Sequence, residues 1–512
     1  MPFYNAQKSK MSLIDLETSL CIHSNVPECT IDVVNENEYF GVLSVKPRNM
    51  PSNQNQKFIL FTVDRTGSMS ECNKMTYVKD TFKNMIQFIA NECPDIYIQV
   101  NVFNTTVETC IPLTKIDLHI VDELIQKIDS IEAEGATAID AALRSAKDTM
   151  LSYIAENPRH SACHIFMTDG DPTFGEKSHS RLSAMVSDQY PNTFIGFGYS
   201  HNSKLLRRLG DINRASYDFV DNVEHTGLVY GDIMHNLLSS AFTDVTIRAV
   251  NGKLYNWKTN TWCNELNEYS LVNDAEKNYH VRCENRYDLK VEIYGKTSTV
   301  DTKQLHDTVY VIPYLIDSET GATTHHTEDL SKYVFRQAVL EKLFLAKSED
   351  LELSMFNDID EIRDLKHEIS QLFTKIRRYM QDANQQDDSM LRQLVDDLTI
   401  TYKTVGTPTG RILALSRQST QGRQQSRNVS AYPNSNASTM VPRFTENSIT
   451  PIQNDIDSQD DFIQRPPTFP AIQTEEEIDN YEPSDNPISC YATPASRNMM
   501  RSMSQPYSQS SS

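Results

Sequence analysis

The 512-residue chain has no run approaching the roughly 18–20 consecutive apolar residues of a membrane-spanning helix. It also lacks an excess of positive charge: 48 Lys and Arg stand against 69 Asp and Glu, a formal net charge of −21. That balance is poorly suited to nonspecific binding of nucleic acid or of an anionic membrane surface. Near the N-terminus nothing reads as a signal peptide, because Asp15 and Glu17 interrupt the only apolar stretch after Lys8 and Lys10. The nine cysteines show no paired spacing of metal or redox type, so we expect reduced thiols and an intracellular, cytoplasmic location. Lysine disappears after Gly406. The remainder is dominated by Ser, Gln, Asn, Pro and Thr, cannot bury enough apolar surface to offset chain entropy, and is expected to be disordered over residues 406–512. Within it the acidic-aromatic patch Glu475 to Glu482 reads either as a solvating stretch or as a docking motif.

What the chain does have is a set of oxygen-bearing side chains at the ends of apolar runs. The strand-like Phe58-Ile-Leu-Phe-Thr-Val63 ends in Asp64, and two hydroxyls follow at alternate positions, Thr66 and Ser68. Two polar clusters come later, Gly135-Ala-Thr137 and Thr168-Asp-Gly-Asp-Pro-Thr173. Two carboxylates and three hydroxyls are what a hard divalent cation prefers. Mg²⁺ takes six oxygens at about 2.0–2.1 Å and releases its waters reluctantly, so so small a set leaves a position for water or for a partner's oxygen. The bland alternative is capping and turn chemistry, which uses the same residue types. Asp171 reads as a turn residue, and Asp140 as a first-turn carboxylate facing a helix dipole.

In order and spacing these clusters resemble a von Willebrand factor type A (VWA) domain with a metal-ion-dependent adhesion site. That family's pattern is Asp-x-Ser-x-Ser, then a Thr in a Gly-rich loop, then an Asp in a Thr-Asp-Gly turn. The wording Thr168-Asp-Gly-Asp-Pro-Thr173 is most similar to the inter-alpha-trypsin-inhibitor heavy-chain branch. The resemblance implies metal residues Asp64, Thr66, Ser68, Thr137 and Asp169, a Mg²⁺ ion (or Mn²⁺), and a protein partner whose Asp or Glu completes the coordination. It departs from the pattern at Thr66, where Ser is usual; threonine keeps the hydroxyl but is stiffer at χ1.

Alternation of apolar strands with amphipathic helices over residues 57–241 predicts an α/β fold, a doubly wound, mostly parallel sheet. Ligands of such sheets bind beyond the carboxyl ends of the strands, where Asp64 and Asp169 both fall. Residues 1–50 and 243–320 are rich in β-formers and are expected to join in one flanking β-sandwich, with the central domain inserted between its strands. Residues 328–403 turn helical. There Ile362, Leu365, Ile369, Leu372, Ile376 and Tyr379 form a heptad-like seam, read as a hairpin on its own chain or as a coiled coil for self-association.

An enzymatic alternative, a metal-dependent hydrolase or phosphotransferase using the same cation, lacks a nucleophile or general base beside Asp64. Gly-x-Ser-x-Gly, His-Glu-x-x-His and paired-Cys zinc patterns are missing. In Gly170-Asp-Pro-Thr-Phe-Gly175-Glu-Lys177, Glu176 puts the lysine out of register for a phosphate-binding loop. A non-enzymatic interaction module is the expected function.

Overall fold

The computed structural model describes residues 15–23, 38–48, 56–93, 95–222, 225–297, 300–311, 314–316, 323–325, 329–348, 359–429, 472–505 and 507. Strands β1 (Asp15–Ile22) and β2 (Tyr39–Arg48) precede the central unit. That unit runs β3 (Lys57–Asp64), α1 (Lys74–Glu92), β4 (Ile96–Phe103), β5 (Val107–Lys115), α2 (Val121–Asp129) and α3 (Ile139–Glu156). It continues with β6 (Ser161–Thr168), α4 (His179–Ser183), β7 (Asn192–Phe197), α5 (Ser203–Gly210), β8 (Ala215–Val220) and α6 (Thr226–Leu238).

Its six strands lie in the order β5-β4-β3-β6-β7-β8, all parallel except the edge strand β5. β3 is apolar on both faces because helices cover both: Ile59, Phe61 and Val63 pack with Phe82 and Ile86 of α1, while Phe58 and Leu60 pack with Ala146 and Met150 of α3. From β3 the chain winds to β4 on one side and later to β6 on the other. The switch point, and so the crevice, lies between the ends of β3 and β6.

The flanks do join. β1 pairs with β2, β2 with β13 (Lys277–Cys283), β13 with β10 (Lys253–Asn256), and β10 with β11 (Thr261–Cys263). A second sheet holds β9 (Ser240–Val250), β12 (Glu265–Val272), β14 (Lys290–Thr297) and β15 (Val300–Tyr310). Leu43, Val45 and Val281 of the first sheet share one core with Val245, Ile247 and Val291 of the second. The two joints to the central unit are held together by Lys57, whose Nζ donates to the carbonyls of Leu237 (2.8 Å) and Leu238 (3.1 Å) at the end of α6. A cation suits a helix C-terminus.

Helices α7 (Ser331–Ala346), α8 (Ile359–Asp382) and α9 (Ser389–Thr404) form the helical unit. The seam residues Leu365, Ile369, Leu372 and Ile376 are buried against Val339 and Leu343 of α7 and Leu394 and Leu398 of α9. The chain covers its own seam.

The expectation of disorder beyond Gly406 fails where three helices form. Pro408–Arg423 is a helix, α10, and Ile472–Asp479 and Pro494–Ser504 are α11 and α12; residues 430–471 lie outside the described residues. Several polar side chains of α10 are buried against partners. Arg417 bonds Asp397 Oδ1 at 2.7 Å, and Gln421 donates to Asp397 Oδ2 at 2.8 Å. The acidic patch packs on its own chain: Ile478 is buried in the helical core, and Tyr481 donates to Asp396 Oδ1 at 2.9 Å. Met499, Met500 and Met503 of α12 lie against α6 and α1. The approach is so close that a Cβ on Gly231 would stand 2.6 Å from Met500 Cα.

Truncation after Gly406 therefore strips Asp397 of its cation and uncovers the α12 groove. Each buried methionine contributes roughly 1.5–3 kcal/mol, and an orphaned buried charge costs about 3–5 kcal/mol. The shortened chain should melt well below the full chain or aggregate. An unchanged melting temperature in differential scanning fluorimetry would contradict this packing.

Candidate metal centre

The five candidate residues sit on three loops beyond the carboxyl edge of the sheet. Asp64 is the last residue of β3, and Thr66 and Ser68 follow on the turn that leads through a 3-10 segment, Gly67–Asn73, into α1. Thr137 ends a loop just before α3, and Asp169 follows the last residue of β6. Backbone bonds zip the first two loops together: Glu134 N donates to Arg65 O (2.7 Å), and Gly67 N donates to Gly135 O (3.2 Å). Gly135 turns there with φ +83°, a conformation that favours glycine. The third loop is tied in through the Thr137 carbonyl, which accepts from Thr173 N and Phe174 N, both at 3.1 Å. A Cβ on Gly170 would lie 3.8 Å from Thr137 Oγ1, which brings that hydroxyl beside the Asp169 loop.

Asp64, Thr66, Thr137 and Asp169 are buried, and Ser68 is half-buried. Asp64 Oδ1 accepts from Thr66 N (2.8 Å), and Asp64 Oδ2 accepts from Thr168 Oγ1 (2.5 Å). Thr66 Oγ1 and Ser68 Oγ lie 3.1 Å apart, and Ser68 Oγ donates to Asp169 Oδ1 at 2.7 Å. Neighbouring ligands of an octahedral Mg²⁺ stand about 2.9 Å apart, given metal–oxygen bonds of about 2.05 Å. The separations along Thr66–Ser68–Asp169 are compatible with such an ion and are equally those of O–H···O hydrogen bonds.

The sequence reading missed two residues here. In sequence Thr168 reads only as part of a turn, yet its hydroxyl donates to Asp64 Oδ2. Lys74, the first residue of α1, places Nζ 2.6 Å from Asp169 Oδ2 and 3.3 Å from Ser68 O. No spacing rule points to it, because the turn that folds it back is set by the tertiary structure. Asp171 is exposed and accepts from Asn202 (2.6 Å), outside the converging set. Asp140 lies in the first turn of α3 and pairs with Arg144. Among the described residues, no three or more His, Cys, Asp and Glu side chains converge to hold a metal; this centre has two carboxylates, and hydroxyls supply its other oxygens. A cavity of about 550 Å³ lies where the central unit meets the sandwich and α7, and none of the five residues lines it.

Residues 59–230 match the family model of the von Willebrand factor type A domain. This segment is a VWA domain. Such domains are generally non-enzymatic modules of protein interaction. A solved von Willebrand factor type A protein from Catenulispora acidiphila aligns over 77% of this chain and 91% of its own, at 13% identity and a TM-score of 0.51. That coverage extends past the VWA domain, so the likeness in fold takes in flanking elements as well. The ArnB paralog VWA2 from Sulfolobus acidocaldarius aligns over 80% of this chain and 98% of its own, at 13% identity and a TM-score of 0.46. No curated protein sequence matches the chain. Among the described residues, no helix is long and apolar enough to cross a membrane.

Burial raises the Asp64 carboxyl to about 6 from an ordinary 3.8, against the pull of the Thr168 and Thr66 hydrogen bonds. A folded-state value above the unfolded one means that the proton stabilises the fold. That contribution is complete below pH 3.8 and is lost as pH rises through 6. Above that, the ionised carboxylate costs roughly 3 kcal/mol, at 1.36 kcal/mol per pH unit. In chelator at pH 7.5, Asp64→Asn should melt above wild type, and the gap should close by pH 4. A gap independent of pH, measured by thermal melts across that range, would show that Asp64 carries no such burden.

Proposed function

We propose that the VWA domain is a metal-dependent adhesion module that binds the Asp or Glu of a partner protein through a divalent cation, Mg²⁺ or Mn²⁺. Asp64, Thr66, Ser68, Thr137 and Asp169 are the residues that would hold it. The observation that carries this reading is the continuous run of oxygens from Thr66 through Ser68 to Asp169, at the spacing of adjacent octahedral ligands. When bound, the cation supplies an electrophilic site for an incoming carboxylate.

The chain's own residues do the rest. Asp64 and Asp169 supply the only negative charge among the five, and the three hydroxyls add neutral oxygens. A centre with so little anionic charge keeps its attraction for an anion from outside. Thr168 holds Asp64 in place, and the bond from Ser68 orients Asp169. At the rim Phe174 is 55% exposed on the loop bonded to Thr137, an apolar surface of the kind that anchors protein contacts.

Capture of partners on the immobilised full chain should need Mg²⁺ or Mn²⁺, vanish with chelator, and fall sharply in both Asp64→Ala and Thr137→Ala. Mg²⁺ should also raise the melting temperature of wild type, by about 2.7 kcal/mol of stability at 100 times its dissociation constant, but not that of Asp64→Ala. A panel of phosphate and acyl substrates separates the enzymatic alternative. Metal-dependent turnover lost in Asp64→Ala, with capture indifferent to chelator, would overturn the adhesion reading.

A further inference from the structure

Lys74 is the part of this centre that an oxygen-ligand reading does not use. Its side chain is buried, at 8% exposure, and its ammonium reaches Asp169 Oδ2 at 2.6 Å and Ser68 O at 3.3 Å. The other oxygen of the same carboxylate takes the Ser68 hydroxyl. Lys74 is also the first residue of α1, a helix of 19 residues, and a cation there opposes the helix dipole. Asn73 before it is left-handed and makes no side-chain cap bond. Local helix energetics therefore do not favour a lysine at this position; the Asp169 carboxylate does.

From this geometry we infer that Lys74 is a built-in cation that holds the adhesion site in its metal-free state and competes with the divalent ion for Asp169. The inference rests on the metal-centre reading above. With Lys74 in place, two carboxylates and one ammonium leave the cluster at a net charge of −1, and Asp169 has donors on both oxygens without any added ion. A divalent cation on the same carboxylate would meet the ammonium at a few ångströms, where like charges repel strongly in a poorly hydrated site. The two cations therefore compete for Asp169. The flexible four-carbon stem of lysine lets the head group leave, and solvent reaches the half-buried Ser68 beside it. Metal uptake is then an exchange of one cation for another, not the filling of an open cup. Lys74 weakens metal binding and sets the concentration above which the site can take a partner carboxylate.

Isothermal titration of the full chain with MgCl₂ and with MnCl₂ tests this, using wild type, Lys74→Met and Lys74→Arg. Lys74→Met should bind both ions at least tenfold more tightly than wild type, whereas Lys74→Arg, which keeps the charge, should stay within about threefold of wild type. In chelator Lys74→Met should melt below wild type, because Asp169 has lost its partner, and added Mg²⁺ should restore it. A purely structural lysine would lower the melting temperature without tightening the metal. Binding seen in Lys74→Met alone is the same exchange at its extreme and supports the inference. Wild type and Lys74→Met binding equally, or Lys74→Met binding more weakly, overturns the role of Lys74 and leaves the metal centre standing. No binding by any variant overturns both. If Lys74→Met does not fold, Lys74→Gln replaces it, since the amide still donates to Asp169 without carrying charge.

Discussion

Two carboxylates buried at the carboxyl edge of an apolar sheet are the constraint around which this molecule is arranged. Asp64 has no accessible surface, and Asp169 almost none. A carboxylate removed from water must find donors, a cation or a proton. Here each oxygen finds one: Thr66 N and Thr168 for Asp64, Ser68 and Lys74 for Asp169. The choice of hydroxyls matters, because a hydroxyl can donate to a carboxylate while its lone pairs still face a metal. The same side chains thus serve the metal-free fold and the proposed metal-bound one.

The topology puts both joints with the sandwich away from that edge. The VWA domain leaves the sandwich after β2 and returns to it at β9, and both joints lie at the opposite, amino-terminal edge of the sheet, where Lys57 binds the end of α6. The sandwich thus meets the domain at the edge opposite the candidate residues. The switch point between β3 and β6 is thereby left to the three short loops that carry Asp64, Thr137 and Asp169.

The segments after Gly406 bind the units together through polar contacts as well as apolar ones. Arg427 joins Asp218 of β8 at 2.7 Å, Gln418 donates to the Trp257 carbonyl of the sandwich at 2.9 Å, and Arg417 meets Asp397 of α9. Each of these side chains would be costly to bury alone and is stable only because its partner is already in position.

Local pattern was enough to reveal much of this. The apolar run ending in Asp64, the helix faces of α1 and α3, the Thr-Asp-Gly turn and the β-rich flanks all depend on periods of two or 3.6 residues and on turn chemistry, which short stretches of chain express by themselves. The five candidate residues follow from the resemblance to the VWA motif, and strand ends and loops place them at one edge of the sheet. The sequence could not reveal what depends on a partner distant in the chain. Lys74 looks like an ordinary helix-start lysine until the 3-10 turn folds it onto Asp169, and Arg417 looks like solvated tail until Asp397 meets it. Composition counts the apolar area a segment brings with it, but only the tertiary structure decides which polar groups find a buried counterpart, because that match is made between residues far apart in sequence.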